Sequence, residues 1–401
     1  MSLLSPSSLP LFLFSKDLVM ILKSFSYIRN KGTKNEWAIK GSPTEESPLK
    51  LVDVNLIVGK NATGKTNTVS SLRILADLIS GEKEPQQIIY NTGIYHASFD
   101  NQGIPIDYFL DVKGGVVIDE RLTIDGQTLL DRKNKKLYYQ GEKKYFSFQT
   151  DENVLAITRR DKVQQAYMEP LFLWGRNLSF YAFGSSLGKS TLMKDVTIAT
   201  KEIFKPRETD KVSGILVKAL KEFEELKGIV INDMSKIGYQ LTDIKPSRLK
   251  FLPVNAYGIL VKEKGLSDYT DQFEMSQGMF RALSLLIQLE YSLLSNVPSC
   301  ILIDDIGEGL DYERSQDLIN IIIEKTKSSH VQVIMTTNNR FIMNTIPLHY
   351  WHVINRVGNK SIFYNRGNSN KTFEDFSMTG LNNFDFFATK FYVNGMEAFE
   401  K

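Results

Sequence analysis

The sequence predicts an α/β fold from the order in which helical and strand patterns occur along the chain. A β-strand pattern leads directly into a glycine-rich loop and then into a helical pattern near residue 60. The last third alternates helix, buried strand, helix and strand, which is typical of a parallel sheet with covering helices. Between these parts lie short strands separated by turns, followed by a mostly helical stretch. We therefore expect an α/β core with an antiparallel β meander and a helical lobe.

The amino-terminal elements follow from local patterns. Residues 21 to 27 and 51 to 58 are rich in apolar and β-branched side chains, which predicts two strands. From Thr66 the apolar residues have helical spacing, and Gly81 lies where that helix would stop. Short apolar runs separated by turn sequences from 94 to 158 predict the meander.

The later elements are mainly helical until the chain returns to α/β order. An apolar stripe predicts a helix over 212 to 227 that Gly228 ends. The following pattern predicts two helices and two strands, at about Gly278 to Leu294, 300 to 303, about Tyr312 to Lys327, and 331 to 335. The predicted domain division is a loose tail at 1–19, a first core lobe with the glycine-rich loop and the meander at 20–158, a helical lobe at 159–277, the rest of the core at 278–345, and an aromatic-rich segment at 346–401.

Composition excludes several classes of protein. The 401 residues contain 42% hydrophobic and 24% charged side chains, which is ordinary for a globular protein. A net charge of +3 gives no global reason to expect a nucleic acid or a membrane partner. The single cysteine, Cys300, allows no intrachain disulfide, and no apolar run is long enough to span a bilayer. We expect a cytoplasmic protein without a signal peptide or a membrane partner.

The segment Gly59-Lys60-Asn61-Ala62-Thr63-Gly64-Lys65-Thr66 fits the pattern G-x-x-x-x-G-K-[ST]. Glycines in this pattern let backbone N–H groups surround phosphate oxygens, the lysine reaches the outer phosphates, and the hydroxyl binds Mg²⁺. Lys65 and Thr66 take the last two roles here. We predict an ATP site in which every residue of this segment, together with Asn67, contacts the nucleotide.

A second requirement of such a site is a carboxylate at the end of another buried strand. The run Ile301-Leu302-Ile303-Asp304-Asp305 supplies two. A carboxylate in this position holds Mg²⁺ and its waters beside the phosphates. Asp304 is therefore the predicted metal ligand, together with Thr66.

Three further runs resemble ABC-type ATPases. The run from Asp304 to Asp311 resembles their Walker B and D-loop segment at the same spacing, and Met275 to Arg281 resembles their signature motif, with Ser276 and Gly278 on the serine and the second glycine. Val333 to Asn339 resembles their switch segment, with Asn338 where a histidine is usual. The resemblance implies an ABC-type P-loop NTPase head whose helical lobe carries the signature. It also implies a homodimer that encloses two nucleotides, with Ser276 and Gly278 binding the nucleotide held by the other subunit.

Within this class the chain is more similar to SMC- and RecF-like heads than to transporter subunits. The chain resembles ATP-binding proteins of the overcoming-lysogenization-defect type and ATPases of anti-phage defence operons, and the runs from Ile306 to Asp311 and from Asn338 to Asn344 resemble the latter. This resemblance implies a separate protein effector that ATP-driven dimerisation would gate. No nuclease-like carboxylate cluster with room for a domain follows residue 345, so we do not expect the nuclease that follows the ATPase in overcoming-lysogenization-defect proteins.

Two departures from the ABC pattern predict slow hydrolysis. The residue after the Walker B aspartate is usually glutamate, and Asp305 is one methylene shorter, which withdraws the carboxylate by roughly 1.5 Å. A misplacement of about 1 Å can cost on the order of 100-fold in rate. Asn338 can hydrogen-bond a phosphate or water but cannot carry a positive charge. Asp305, Lys65 and Asn338 are the predicted catalytic residues, and Glu308 could compensate for the short Asp305.

Other positions remain open to more than one interpretation. Gln102 is a candidate for the glutamine that links metal and helical lobe in this family, and Phe25, Tyr27 or Trp37 could contact adenine or fill the sheet core. The basic and aromatic stretch at 132 to 145 is either a solvated hairpin or a DNA-binding one. The carboxyl-terminal phenylalanines pack on the head or dock a partner, and they are Phe373, Phe376, Phe384, Phe386, Phe387, Phe391 and Phe399.

These observations leave three functional hypotheses. The first is a slow ATPase that dimerises on ATP and gates an effector. The second is a nucleotide-dependent scaffold or inhibitor that hardly hydrolyses ATP. The third is a RecF-like DNA-repair ATPase whose DNA binding would be sensitive to salt.

Overall fold

The structure, a computed structural model, describes residues 19–193, 207–249, 256–296 and 299–399. Within these residues the strands form one large sheet of 15 strands and a small sheet of three. The predicted tail at 1–19 lies outside the described residues except for Val19, and so does the side chain of Phe399.

Five neighbouring strands of the large sheet run parallel. They are, in spatial order, β17 (Trp351–Val357), β4 (Val54–Val58), β16 (Val331–Thr337), β15 (Ser299–Asp304) and β11 (Ser179–Ala182). Every residue of β4, β15 and β16 is buried, as expected for strands covered on both faces. The carboxyl ends of these strands meet at one edge, which brings the loops that follow them together.

The other part of the large sheet is the predicted meander, in which consecutive strands pair antiparallel. Its strands are β5 (Gly93–Asn101), β6 (Ile104–Lys113), β7 (Val116–Ile124), β8 (Gln127–Asp131), β9 (Lys136–Tyr139) and β10 (Lys144–Ser147). β5 pairs with β1 (Met20–Arg29), which also pairs with β2 (Trp37–Lys40) and β3 (Leu49–Lys50). The predicted α/β fold with an antiparallel meander is therefore confirmed.

One late strand joins the two parts. β18 (Lys360–Asn365) pairs antiparallel with β17 and parallel with β2. The aromatic-rich carboxyl-terminal segment therefore supplies two strands in the middle of the sheet, which its composition did not predict.

The helices of the core lie close to their predicted positions. α1 (Lys65–Ile79) follows β4 and packs on α2 (Glu169–Asn177). α5 (Gln277–Leu294) precedes β15, α6 (Tyr312–Thr326) connects β15 to β16, and α7 (Arg340–Thr345) follows β16. The predicted bounds of α5 and α6 agree with these to within one residue.

The predicted helical lobe contains strands as well as helices. Beside α3 (Val212–Glu222) and α4 (Leu226–Lys236) it holds the small sheet of β12 (Leu241–Arg248), β13 (Tyr257–Glu263) and β14 (Thr270–Asp271). The single helix predicted over 212 to 227 is wrong, because Phe223 has φ −134° and ψ 102° and Gly228 lies inside α4. The ring of Phe223 packs against Tyr291 of α5, so tertiary packing overrides the periodic pattern.

The carboxyl-terminal helices pack on their own head. α8 (Arg366–Ser377), α9 (Asn383–Ala388) and α10 (Phe391–Asn394) follow β18. Phe386 is fully buried, and its ring centroid lies 6.4 Å from that of Trp351 on β17 and 4.6 Å from that of Phe373. Of the two predicted uses of the phenylalanines, the structure shows packing against the head.

Among the described residues no helix combines the length and apolar content that a bilayer span needs.

Candidate functional site

The loop between β4 and α1 has a backbone that requires small residues. Ala62 and Gly64 have φ angles of 64° and 108°, in the left-handed region. A Cβ atom on Gly59 would lie 2.5 Å from Cγ2 of Ile354, and one on Gly64 would lie 2.5 Å from Oγ of Ser361. Both glycines are therefore needed where the loop closes against β17 and β18.

The amino end of α1 suits an anion. Gly64 is its N-cap, no side chain caps the helix, and its first turn contains no acidic residue. Uncapped N–H groups and the helix dipole favour a phosphate at such an end. Nζ of Lys65 lies inside the same loop, donating to the carbonyl oxygens of Gly59 at 2.8 Å and Lys60 at 3.2 Å. The loop thus has the donors that a nucleotide's phosphates require.

Two side chains from distant strands hold the loop in this shape. Nε1 of Trp37 on β2 donates to Oγ of Ser361 at 3.0 Å, and that hydroxyl donates to the carbonyl oxygen of Thr63 at 2.7 Å. The hydroxyl of Thr63 in turn donates to the carbonyl oxygen of Lys60 at 2.8 Å. Phe25, Tyr27 and Trp37 are all buried in the sheet core, so Trp37 supports the loop as a hydrogen-bond donor.

The paired aspartates lie at the carboxyl end of β15 and are tied to β16. Oγ1 of Thr336 donates to Oδ1 of Asp304 at 2.6 Å and accepts from the N–H of Asp305 at 3.0 Å. Asp304 is buried, whereas Asp305 is half-buried and has φ 56°. One oxygen of Asp304 is thus fixed by Thr336, and the other can face a metal ion or its water.

Lys65 and the aspartates are close enough to affect one another's charge. Burial lowers the pKa of Lys65, and the charges of Asp305 and Asp304 partly oppose that change. Burial and the charge of Asp304 raise the pKa of Asp305, while Lys65 lowers it. The structure therefore brings together the predicted lysine, the metal-side carboxylate and the catalytic carboxylate.

Three further residues of the predicted site also lie at this edge. Nδ2 of Asn338, after β16, donates to Oδ1 of Asn61 in the loop at 2.9 Å. Thr66 and Asn67 are exposed in the first turn of α1. Mg²⁺ usually takes one or two protein oxygens and completes its shell with phosphates and waters, so the Thr66 hydroxyl and Asp304 suit it.

Ser276 lies at a different place from the loop. It is the exposed N-cap of α5, where its Oγ accepts from the N–H of Met279 at 3.1 Å, and the Tyr239 side chain also hydrogen-bonds it. None of the hydrogen bonds of the described residues joins Ser276 to the glycine-rich loop. Gly278 is buried, and a Cβ atom there would lie 2.8 Å from the carbonyl oxygen of Gly309. The signature segment therefore presents its serine to solvent and packs its glycine against the D-loop segment.

Arg281, in the basic stretch after the signature, binds protein carbonyls. Its guanidinium donates to the carbonyl oxygens of Ser185 at 3.0 Å, Gly184 at 2.8 Å and Glu308 at 2.6 Å. The side chain is 7% exposed. Arg281 thus joins α5 to the loop after β11 and to the turn after β15.

Gln102 is not at the site, and its prediction as the linking glutamine is wrong. It lies in the turn between β5 and β6, next to Asn101, which pairs with Met20 at the start of β1. The loop lies near the other end of β1, where Arg29 pairs with Trp37. Ten residues of strand separate these ends by about 30 Å. Gln102 was predicted because it follows the first helix and a strand in the sequence. The strand that actually lies beside β15 is β11, which comes much later in the chain.

The basic stretch at 132 to 145 forms the outer edge of the meander. Arg132 is bound inside, donating to the carbonyl oxygens of Val154 and Asp151 at 2.8 Å each. The lysines of this stretch are exposed, and β10 is exposed along its length. DNA binding by this hairpin stays a prediction.

Sequence reasoning missed several residues of the site. Thr336 could have been found from its place at the end of the predicted strand at 331 to 335, beside the strand that ends in Asp304. Ser361 has no local signal, because its role depends on β18 lying beside the loop. Gly184 lies in a segment with no recognisable motif and becomes relevant only through its contact with Glu308.

No family model and no curated protein matches the chain. Among solved structures it is similar to an SMC head bound to the C-winged helix domain of ScpA, at 13% identity over 85% of this chain and 96% of that one, with a TM-score of 0.49. An SMC head from Pyrococcus furiosus, with an extended coiled coil and the C-terminal domain of ScpA, has 13% identity over 86% and 96%, with a TM-score of 0.47. The SMC head domain from Thermotoga maritima has 13% identity over 85% and 97%, with a TM-score of 0.42. At these scores the assignment of the site rests on this chain's own residues and strand order.

Proposed function

We propose that this chain is an ABC-type ATPase that binds ATP with Mg²⁺, hydrolyses it slowly and dimerises head to head when ATP is bound. The observation that carries the proposal is the meeting of three groups at one sheet edge. These are the uncapped amino end of α1 with Lys65, the Thr336-bound Asp304, and Asp305 beside them. Phosphoryl transfer to water needs hydrogen-bond donors that bind the phosphates, a carboxylate beside the metal ion and a second carboxylate.

Each residue has a defined task in this proposal. The N–H groups of the loop and Lys65 bind the phosphates, and Thr66 and Asp304 hold Mg²⁺, which when bound neutralises charge on the phosphates. Asp305 orients the attacking water, and Asn338 hydrogen-bonds the outer phosphate. Asp305 and Asn338 replace the residues that usually speed this reaction, so turnover is slow.

The dimer follows from the position of Ser276. Ser276, the N-cap of α5, is exposed, and the hydrogen bonds of the described residues do not connect it with the chain's own glycine-rich loop. In a two-fold dimer each subunit can present this end to the nucleotide of the other, so both sites are completed at once. The resemblance of the Ile306 to Asp311 run to ATPases of anti-phage operons supports the further proposal that closure gates a separate protein effector in such defence.

The test separates ATP binding from dimerisation. Lys65→Ala should abolish binding of a fluorescent ATP analogue, because it removes the ammonium from the loop. Ser276→Arg should leave binding intact and abolish the ATP-dependent dimer in analytical ultracentrifugation, since one substitution alters both sites of a two-fold dimer. The control is Ser267→Arg, the same change at another exposed serine of the lobe. A dimer that forms normally with Ser276→Arg contradicts the shared site.

Phosphate release by the wild-type protein separates the enzyme from the scaffold hypothesis. The short Asp305 and the neutral Asn338 are the observations that favour a scaffold. A wild-type protein that binds ATP and dimerises without releasing phosphate is a nucleotide-dependent scaffold. A measurable rate that Asp305→Ala lowers identifies an enzyme.

A further inference from the structure

Glu308 is an acidic residue in the turn between β15 and α6, three residues after Asp305. The turn is tightly defined, since Gly307 and Gly309 have φ of 84° and 80° and the N–H of Glu308 donates to the carbonyl oxygen of Asp305 at 3.3 Å. The carbonyl oxygen of Glu308 accepts from Nη1 of Arg281 at 2.6 Å. A Cβ atom on Gly309 would lie 2.3 Å from the same Nη1, so this hydrogen bond requires glycine at position 309.

The carboxylate of Glu308 packs against the backbone of Gly184, which has no side chain. A Cβ atom on Gly184 would lie 2.5 Å from Oε2 and 3.4 Å from Oε1 of Glu308. Gly184 has no positive φ, so backbone conformation does not explain a glycine there. Its carbonyl oxygen is bound by Arg281, which fixes it relative to the Glu308 backbone. Because residue 184 is glycine, the Glu308 carboxylate can occupy the space that a side chain there would fill.

This position is at the carboxyl edge of the parallel strands, where the phosphate loop also lies. Gly184 follows β11, whose neighbour β15 ends in Asp304, and the N–H of Phe183 donates to the carbonyl oxygen of Asp304 at 2.9 Å. Glu308 is close enough to Asp305 for the two carboxylates to repel each other. Its carboxylate makes no hydrogen bond or ion pair within the part of the chain that the structure describes, and the residue is exposed.

We propose that Glu308 is the proton acceptor in ATP hydrolysis and that Asp305, with its shorter side chain, orients the water. This inference rests on the hydrolysis proposed above. In the step, the water oxygen forms a bond to the γ-phosphorus and the bond from that phosphorus to the β,γ-bridging oxygen breaks. The electron pair of the broken bond stays on ADP. One water proton moves to the Glu308 carboxylate and then to the phosphate that is released.

The first test removes the charge of Glu308 while keeping its shape. Glu308→Gln should lower kcat by roughly 100- to 10,000-fold, the range of general acid–base catalysis, and leave KM for ATP within about twofold. The ATP-bound dimer should persist for longer in size-exclusion chromatography, because ATP stays intact. The matched control is Glu324→Gln, which neutralises an exposed glutamate further along α6.

The second test displaces the carboxylate and keeps it charged. Gly184→Ala places a methyl group against Oε2 of Glu308, so it should lower kcat in the same direction with unchanged ATP affinity. Gly228→Ala is the control, because a Cβ atom there meets nothing within 4 Å.

The outcomes distinguish the two proposals. A wild-type enzyme that hydrolyses ATP, together with a Glu308→Gln variant at the wild-type rate, overturns the role of Glu308 alone. A wild-type protein that binds ATP without releasing phosphate overturns both hydrolysis and this role. If Glu308→Gln is slow and Gly184→Ala is not, the placement of Glu308 by Gly184 is wrong.

Discussion

At the scale of single residues, a buried polar side chain is stable when each of its polar atoms has a hydrogen-bond partner. Buried His352 is the clearest case. One ring nitrogen, Nε2, lies 2.9 Å from Oδ1 of Asn55 on β4, and the other, Nδ1, lies 3.3 Å from Nδ2 of Asn365. Oδ1 of Asn365 accepts from the N–H groups of Gly367 and Asn368 as the N-cap of α8, so the amide cannot turn its oxygen to the ring. These hydrogen bonds fit a neutral imidazole ring, and burial lowers the pKa of His352 to about 4.

This imidazole predicts loss of stability in mild acid. The unfolded chain binds a proton at His352 near pH 6.5 and the folded chain only near pH 4. The folded state therefore keeps its full stability above about pH 6.5 and loses up to about 3 kcal/mol as the pH falls to 4. Urea unfolding at several pH values should show a shallower dependence for His352→Gln than for wild type.

The control for this prediction is His96→Gln, which removes a half-exposed histidine of β5. It should keep the wild-type pH dependence. Equal slopes for wild type and His352→Gln would contradict the account of His352.

At the scale of elements, a single side chain joins three segments that surround the site. Arg281 on α5 donates to carbonyl oxygens in the loop after β11 and in the turn after β15. These carbonyls belong to irregular backbone, which has no sheet partner to satisfy it. A hydrogen bond that involves a charged group contributes about 1.5–3 kcal/mol. The arrangement of both loops therefore depends on this guanidinium.

We expect Arg281→Met to lower the free energy of unfolding by about 1.5–3 kcal/mol, because three partly buried carbonyl oxygens lose a charged donor. Arg281→Lys should recover less than half of this, since an ammonium lacks the planar fork that reaches all three oxygens. Chemical denaturation measures both. A change below about 0.5 kcal/mol for Arg281→Met, the size of an ordinary surface effect, would show that the bonds add nothing.

Local patterns were enough to predict some elements and not others. The bounds of α5 and α6, and the positions of Lys65 and Asp304 after their strands, follow from apolar periodicity and from motifs that lie within a few residues. The break at Phe223 and the placing of Gln102 depend on which distant segment packs alongside. The small sheet β12–β14 was missed because it lies within a stretch whose dominant pattern is helical. Register and neighbour choice are long-range properties that one sequence does not display.

At the scale of the whole molecule, the carboxyl-terminal segment is part of the head's core. Phe386 of α9 contacts the rings of Trp351, Phe373, Phe376, Phe391 and Tyr392. These contacts join α8, α9 and α10 to β17, which lies next to β4, the strand that carries the phosphate loop. The segment therefore packs behind the strand that leads into the glycine-rich loop, where we propose that the nucleotide binds.

Phe386→Ala should lower the free energy of unfolding by about 3–5 kcal/mol, as expected for a large aromatic side chain removed from a packed core. Met378→Ala is the control, because Met378 is 84% exposed and surface changes usually stay within about 0.5 kcal/mol. Both are measured by urea unfolding. A Phe386→Ala protein as stable as Met378→Ala would mean that the cluster serves some other purpose.

The hydrogen bond from Ser361 to the glycine-rich loop determines when, during synthesis of the chain, the loop can reach its final shape. The hydroxyl of Ser361 and the loop carbonyl that it binds are 298 residues apart in the chain. At translation rates of about 5–20 residues per second, the ribosome needs roughly 15–60 s to add β18 after the loop has been synthesised. Pairing of such distant segments also slows folding. A nascent chain stopped before β18 would contain the whole glycine-rich motif and lack the wall against which it closes. The loop can therefore reach the shape seen here only in a chain whose synthesis is nearly finished, and the proposed ATP binding depends on that shape.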